Sequence, residues 1–285
     1  PVRAARAFSR LTMKTDPRMN PHVTAAFAPF ELDGEPAPVE VDRSTPMDEI
    51  QAWSVEAEQG YSGLFQVMCA DNPPPAVEVE NSTEVIQGVD GNDITLYISR
   101  PKGAEGPLPC VYHTHGGGMA ILHAADEVYV YWRDRLAAEG LVCVGVEFRN
   151  CAGADGHNQF PAGLNDCASG LYWTQDNAEA LGIGNIVISG ESGGGNLAVA
   201  TTMKAKNDGK LDGIGGTYAL CPYVAGDLHY DSPPPELPSL VENDGIFLDV
   251  GMMATLGMTC ESPAASLLSC DPLTCMIRKA RETIC

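Results

Sequence analysis

Gly190-Glu191-Ser192-Gly193-Gly194 follows the apolar run Asn185–Ser189 directly and opens a helical pattern over residues 193–207. The pattern G-x-S-x-G between a buried strand and a helix predicts a sharp turn that projects the serine oxygen outward, and the small residues permit that turn. The N–H of Gly193 would lie at a helix N-terminus, where it can stabilise a developing oxyanion. We therefore predict that Ser192 is a nucleophile, although a Gly-rich connection without chemistry would have the same composition.

Strand and helix patterns alternate on both sides of this turn. A hairpin with the turn Asp90-Gly91-Asn92 comes first, and apolar runs then alternate with helical spacings. This alternation predicts an α/β fold with a mostly parallel central sheet flanked by helices. The extended segments are predicted at residues 77–88, 93–100, 108–115, 141–148, 184–190 and 213–220, and the helices at residues 46–70, 126–139, 161–180 and 193–207.

The chain divides into three regions by pattern and charge. Residues 1–18 form a basic extension that we expect to be disordered, and residues 19–75 are predicted to form a helical cap over the site. Residues 76–285 make up the main α/β domain, which becomes irregular after about residue 250 because no clear strand pattern continues there. This irregular stretch does not account for the last strands of the sheet, which we expect to be missing.

A second glycine-rich motif, His115-Gly116-Gly117-Gly118, follows the apolar run that ends at Thr114. A glycine run allows backbone N–H groups to approach an oxyanion without a side chain in the way. The motif precedes the serine turn in the chain order that such sites require. Alone it would fit a flexible loop equally well, but the two motifs together indicate an acyl-transfer site.

Four stretches of the sequence resemble the hormone-sensitive-lipase group of α/β-hydrolase carboxylesterases. They are His113–Met119, Val146–Asn150, Phe160–Asp166 and Gly190–Asn196, within a similarity over about residues 19–250. The resemblance implies the α/β-hydrolase fold with an N-terminal cap. It also implies a carboxylic ester hydrolase that acts through a serine nucleophile and an acyl-enzyme on short- to medium-chain esters.

The same resemblance assigns roles to residues around the nucleophile. It implies that Gly117, Gly118 and Gly193 form the oxyanion hole, and that His115 supports the glycine loop without acting as the base. It implies a small-molecule ester as the partner, no organic cofactor and no metal.

The catalytic acid and base are harder to assign because the resemblance weakens after Asp249. In this fold the acid and then the histidine follow the serine in the chain. Asp271 is the candidate acid because Asp271-Pro272-Leu273 is similar to the group's acid motif, although it arrives early. His229 is the candidate base only because it is the one histidine after Ser192.

Three interpretations of this departure are open. The chain is a truncated or frame-altered esterase, an active enzyme that uses an unusual base such as His229, or an inactive relative that binds a small ligand without cleaving it. A serine without an imidazole of suitable pKa has no efficient general base. We therefore expect the chain as written to hydrolyse esters poorly.

The charge and the apolar content of the chain exclude some classes of binding partner. With 17 Lys and Arg against 38 Asp and Glu, the net charge of −21 repels phosphate backbones, so we predict no nucleic-acid binding. The sequence contains no run of 18 apolar residues, so no membrane-spanning helix is predicted. We predict a cytoplasmic location, while the Arg-rich start would also fit an organelle transit peptide or an extension before a natural start at Met13. The sequence leaves the oligomeric state open.

Overall fold

The computed structural model of the chain describes residues 11–36, 38–224 and 238–260. The strands are β1 (Val79–Gln87), β2 (Asp93–Pro101), β3 (Leu108–Thr114), β4 (Val142–Val146), β5 (Ile183–Glu191) and β6 (Ile214–Leu220). The helices are α1 (Pro21–Phe27), α2 (Met47–Cys69), α3 (Glu127–Ala138), α4 (Ala162–Asp176), α5 (Ala178–Leu181), α6 (Gly193–Asn207), α7 (Ser239–Glu242) and α8 (Val250–Thr259).

The strands of the described ranges form one sheet in the order β1-β2-β4-β3-β5-β6. The β1–β2 hairpin is antiparallel and joins β4 in an antiparallel pairing, whereas β4, β3, β5 and β6 run parallel. All five residues of β4 are buried, as the continuous apolar run predicts for a strand covered on both faces. The predicted α/β fold with a mostly parallel sheet flanked by helices is confirmed.

Adjacent parallel strands bring the two glycine motifs together. Thr114, the last residue of β3, pairs with Gly190 near the end of β5. Because parallel strands end at the same edge of a sheet, the loops after β3 and β5 leave the sheet side by side. Ligands of open α/β sheets bind at this carboxyl edge. The topology therefore explains why motifs 75 residues apart in sequence can share one site.

Two expectations about the ends of the chain need correction. Residues 250–259 form the regular helix α8, because the side chain of Asp249 caps it by accepting from Met252 N and because its apolar face is buried. Of the basic extension, residues 11–18 fold into turns, and Met13 is only 5 % exposed. The expected disorder therefore does not apply to residues 11–18.

The outer edge of the sheet is β6. Within the described ranges β6 pairs only with β5, and its Tyr218 and Leu220 side chains are 56 % and 50 % exposed. The prediction that the last strands of the sheet are missing concerns residues 261–285, which lie outside the described residues.

Candidate active site

Ser192 lies in the tight turn between β5 and α6. Its φ of 54° and ψ of −120° place a non-glycine residue in a sparsely populated region, which persists only where the surroundings hold it. Two backbone hydrogen bonds do so: Ser192 N donates to Leu220 O at 3.0 Å, and Tyr223 N donates to Ser192 O at 2.9 Å. The serine side chain is half-buried at the start of helix α6. It is therefore held in place without being sealed from solvent.

The glycines around Ser192 are required by close packing. A methyl group on Gly193 would collide with Met119 N and lie 2.7 Å from Gly118 Cα, and one on Gly194 would collide with the carbonyl oxygens of Thr114 and His115. No side chain fits between the serine turn and the loop after β3. The close approach puts the Gly193 N–H beside the glycine loop.

The loop after β3 has an unusual backbone. Gly117 and Gly118 have φ values of +93° and +66°, and Met119 follows at 66°. The carbonyl oxygen of Gly117 is bonded within the loop, where it accepts from Ala120 N and Ile121 N at 3.0 and 3.1 Å. Left-handed φ values favour glycine at the first two positions.

Three backbone amide groups on these two segments have no hydrogen-bond partner within the described ranges. Across residues 11–36, 38–224 and 238–260, no hydrogen bond is donated by the backbone N–H groups of Gly117, Gly118 or Gly193. The three N–H groups lie on two segments in contact with each other and next to Ser192. Unused backbone donors of this kind suit a developing oxyanion.

His115 lies beneath the loop and not beside the serine hydroxyl. Its ring is fully buried, stacks on Phe148 at a centroid distance of 4.1 Å, and donates from Nδ1 to Gly116 O at 2.9 Å. Burial lowers the pKa of His115 to about 3, so the ring is neutral. A neutral, buried imidazole bonded to the glycine loop is suited to supporting that loop.

Three further histidines of the described ranges have structural partners as well. His113 Nε2 contacts Glu191, His123 contacts Glu58 and Glu147, and His157 Nε2 donates to Thr259 O at 2.7 Å. No histidine of the described part of the chain hydrogen-bonds to Ser192. The predicted base His229 and the predicted acid Asp271 lie outside the described residues.

Helix α8 covers the glycine loop. A methyl group on Gly118 would lie 3.7 Å from both Leu256 Cδ1 and Met253 Cε. Tyr223, which follows β6, donates its hydroxyl to Met253 O at 3.0 Å. These apolar side chains join the loop residue Ile121 in a second buried cluster, so the surface above the oxyanion donors is apolar.

Glu58 of helix α2 fixes the far end of the same loop. Its carboxylate accepts from Leu122 N and Ala154 N, both at 2.7 Å, and its Oε1 lies 3.5 Å from His123 Nε2. Burial alone would raise the pKa of Glu58, but the hydrogen bonds from His123 and the two backbone N–H groups lower it overall. Glu147 and then Glu58 raise the pKa of His123 to about 11. No local pattern in the sequence indicates this long-range contact.

The variant Glu58→Gln is expected to lose about 2 kcal/mol of folding stability, because a buried charged acceptor is replaced by a neutral one. The carboxylate pKa is lowered on folding, so its contribution is full above the ordinary value of 4.5 and is lost as the pH falls through the folded-state pKa. Urea unfolding at pH 7 and pH 3.5 measures both effects. The control is Glu56→Gln, which is exposed on the same helix. Equal midpoints for the two variants at pH 7 would contradict the assignment.

Two features of the described residues concern membranes and metal ions. No helix among them has the length and apolar character needed to cross a bilayer. No group of three or more His, Cys, Asp or Glu side chains is arranged among them to hold a metal ion.

Comparison with known proteins matches residues 111–280 to the alpha/beta hydrolase fold family. A versiconal hemiacetal acetate esterase of Dothistroma septosporum is 30 % identical over 188 residues, which are 65 % of this chain and 53 % of that protein. The carboxylesterase NlhH of Mycobacterium tuberculosis is 29 % identical over 181 residues, 61 % of this chain and 51 % of that protein. The chain thus spans about half the length of the curated relatives it matches.

Solved structures give the same result at greater coverage. Brefeldin A esterase, described as a bacterial homologue of human hormone sensitive lipase, superimposes with a TM-score of 0.84 and 42 % identity, over 92 % of this chain and 73 % of that one. A structure of the esterase Est22 has a TM-score of 0.78 and 34 % identity, over 92 % and 76 %. A parallel sheet with a strained serine turn at its carboxyl edge is the arrangement of a hydrolase fold. The chain belongs to the α/β-hydrolase family, in its hormone-sensitive-lipase group.

Proposed function

We propose that the chain carries the acylation site of a serine carboxylic ester hydrolase. The observation that carries the proposal is the half-buried Ser192 beside three backbone N–H groups that have no partner within the described ranges. Esterase names among the relatives and the solved structures support the reaction class. The assignment of Ser192 as nucleophile, Gly117, Gly118 and Gly193 as oxyanion hole and His115 as loop support is part of this proposal.

The reaction follows from this arrangement. The Ser192 oxygen attacks the ester carbonyl carbon, and the carbonyl oxygen becomes an oxyanion that accepts from the three N–H groups. Collapse of this intermediate expels the alcohol and leaves an acyl-enzyme, which water then hydrolyses to the acid. The serine proton must pass to a base and on to the leaving alcohol. His229 and Asp271 stay the proposed base and acid.

The substrate class follows from the apolar surface above the donors. Met253 and Leu256 offer dispersion contacts and no hydrogen bonds to an acyl chain, which suits a neutral ester of short to medium length. One relative's name specifies an acetate ester. The net charge of −21 disfavours anionic substrates. A cytoplasmic location is kept as a prediction.

The test is covalent labelling with an ethyl fluorophosphonate, followed by intact mass and peptide mapping. Without an efficient base we expect slow labelling that gives one adduct, on Ser192, and none in Ser192→Ala. Ser189→Ala is the matched control, because Ser189 lies three residues upstream on β5. A label on another residue, or a label that persists in Ser192→Ala, would refute the nucleophile assignment.

Turnover of p-nitrophenyl acetate and butyrate is measured on the same sample. Without an efficient base we expect only the rate that an oxyanion hole and binding supply, about 10³–10⁴ over water. Robust turnover abolished by His229→Ala would instead assign the base to His229. Stabilisation by a small ester, with neither label nor turnover, would favour the ligand-binding alternative.

A further inference from the structure

Glu191, the variable residue of G-x-S-x-G, connects the serine turn to the glycine loop. Its Oε1 accepts from Gly116 N at 2.8 Å, and its Oε2 lies 2.8 Å from His113 Nε2. A carboxylate only accepts, so Nε2 of His113 is the donor. One side chain thus bonds to two residues of the segment that leads into the oxyanion donors.

The partners of Glu191 are themselves fixed. His113 is 1 % exposed, and its ring packs against Trp132 of helix α3 with a centroid distance of 4.4 Å. Gly116 is closely packed, because a methyl group there would lie 3.1 Å from Tyr129 Oη and 3.3 Å from Glu191 Oε1. Only 28 % of the Glu191 side chain is exposed, so contacts with the protein, and not solvent alone, hold its orientation.

The two residues that Glu191 links lie next to the proposed reacting groups, so these hydrogen bonds affect the reaction. Gly116 directly precedes Gly117, and Glu191 directly precedes Ser192. The Gly116 N–H points at the carboxylate, which fixes the peptide plane from which the loop turns into its left-handed residues. Hydrogen bonds to an ionised acceptor are stronger than neutral ones and suit this positioning role.

We propose that Glu191, oriented by His113, is a positioning residue that sets the distance between the Ser192 oxygen and the oxyanion donors. The proposal rests on the proposed function of Ser192. Glu191 does not touch the substrate. It acts through the Gly116 amide, so its loss would misplace the donors and leave the apolar surface under Met253 unchanged.

The first experiment measures fluorophosphonate labelling of Ser192 as a maximal rate and a half-saturating concentration. Misplaced catalytic groups cost up to about 100-fold, so we expect Glu191→Ala to lower the maximal rate by at least about 10-fold with the half-saturating concentration unchanged. Glu191→Gln keeps an acceptor for Gly116 N–H and should recover most of the rate. The control is Glu179→Ala, an exposed acid on α5.

Two labelling results would contradict the positioning role of Glu191. A folded Glu191→Ala protein labelled at the wild-type rate would overturn the proposal, and so would a Glu191→Gln protein as slow as Glu191→Ala. Circular dichroism melting confirms that each variant is folded. If Glu191→Ala does not fold, the comparison of Glu191→Gln with wild type still decides, because Gln keeps the acceptor for Gly116.

A second measurement separates this proposal from the proposed function. Hydrogen exchange of the Gly116 amide reads the bond to Glu191 directly and needs no chemistry at Ser192. If wild type is not labelled, the nucleophile assignment fails, and faster Gly116 exchange in Glu191→Ala still establishes the hydrogen bond that the proposal requires. Unchanged exchange in that variant would overturn the positioning role.

Discussion

Alanine at position 194 is expected to destabilise the fold by about 3 kcal/mol or more, the upper range for overpacking a core position. The added methyl would collide with the carbonyl oxygens of Thr114 and His115 and lie 2.7 Å from the His115 carbonyl carbon. These are backbone atoms at the end of β3, in the middle of the sheet, so no side-chain rotation relieves the clash. Either the serine turn or the β3–β5 pairing must move.

Urea unfolding followed by circular dichroism measures the loss. The matched control is Gly60→Ala in helix α2, where a methyl meets nothing within 4 Å. That change should be neutral or stabilising by up to about 1 kcal/mol, because alanine favours a helix over glycine. A Gly194→Ala midpoint near wild type would mean that the serine turn is looser than described. Because the same added methyl group is expected to destabilise the protein at Gly194 but not at Gly60, the comparison isolates the effect of the clash.

The central sheet was predictable from sequence because its signals are local. The apolar run at residues 141–148 became the fully buried strand β4, and the turn Asp90-Gly91-Asn92 joins β1 and β2. The serine turn also follows from local residues, since glycines at fixed spacings leave few other conformations. These elements required no knowledge of distant contacts.

Helix α8 was missed because its stability is tertiary. Gly251, Thr255 and Gly257 give it weak intrinsic propensity, and its Met-rich sequence lacks a clear helical period. Burial of Met253 and Leu256 against the glycine loop outweighs that preference. A helix whose partner is remote in sequence leaves little local signal.

The roles of the Glu58 and Glu191 carboxylates could not be predicted from the sequence, because their partners are also remote in the chain. Glu58 and Glu191 each bond to backbone N–H groups over 60 residues away, and any residue type would offer the same N–H. Sequence patterns identify side-chain chemistry, but these contacts depend on which backbone groups the fold leaves without partners. The motif alone marked Glu191 only as a variable position.

The pairing of Cys151 with Cys260 has no local sequence signal either, because 109 positions separate the two residues. They form a disulfide with a Cα–Cα distance of 4.9 Å across a sequence separation of 109. Cys151 N donates to Met119 O at 2.9 Å, and Cys260 O accepts from Phe160 N at 3.1 Å. The bond therefore ties the end of α8 to the segments beside the glycine loop.

Replacing Cys260 by alanine is expected to cost about 4 kcal/mol under oxidising conditions, because closing a loop of roughly 100 residues restricts the unfolded chain by that order. Addition of a dithiol reductant should lower the wild-type melting temperature similarly and leave Cys260→Ala unchanged. Cys69→Ala, which removes a free thiol on helix α2, is the control and should respond to reductant like wild type. Equal sensitivity of Cys260→Ala and wild type to reductant would rule the disulfide out as the cause.

The same bond should also affect the site, because α8 holds Met253 and Leu256 over Gly118. Releasing the helix end loosens that cover, so the proteolytic susceptibility of α8 should rise on reduction while the β3–β5 core stays protected. A reducing cytoplasm would keep the two cysteines as thiols, whereas an oxidising compartment would keep the bond. Alkylation of the protein in intact cells, followed by peptide mass mapping of Cys151 and Cys260, therefore tests the predicted cytoplasmic location too. Recovery of the linked peptide from unstressed cells would contradict that location, because the disulfide would have persisted where glutathione reduces it.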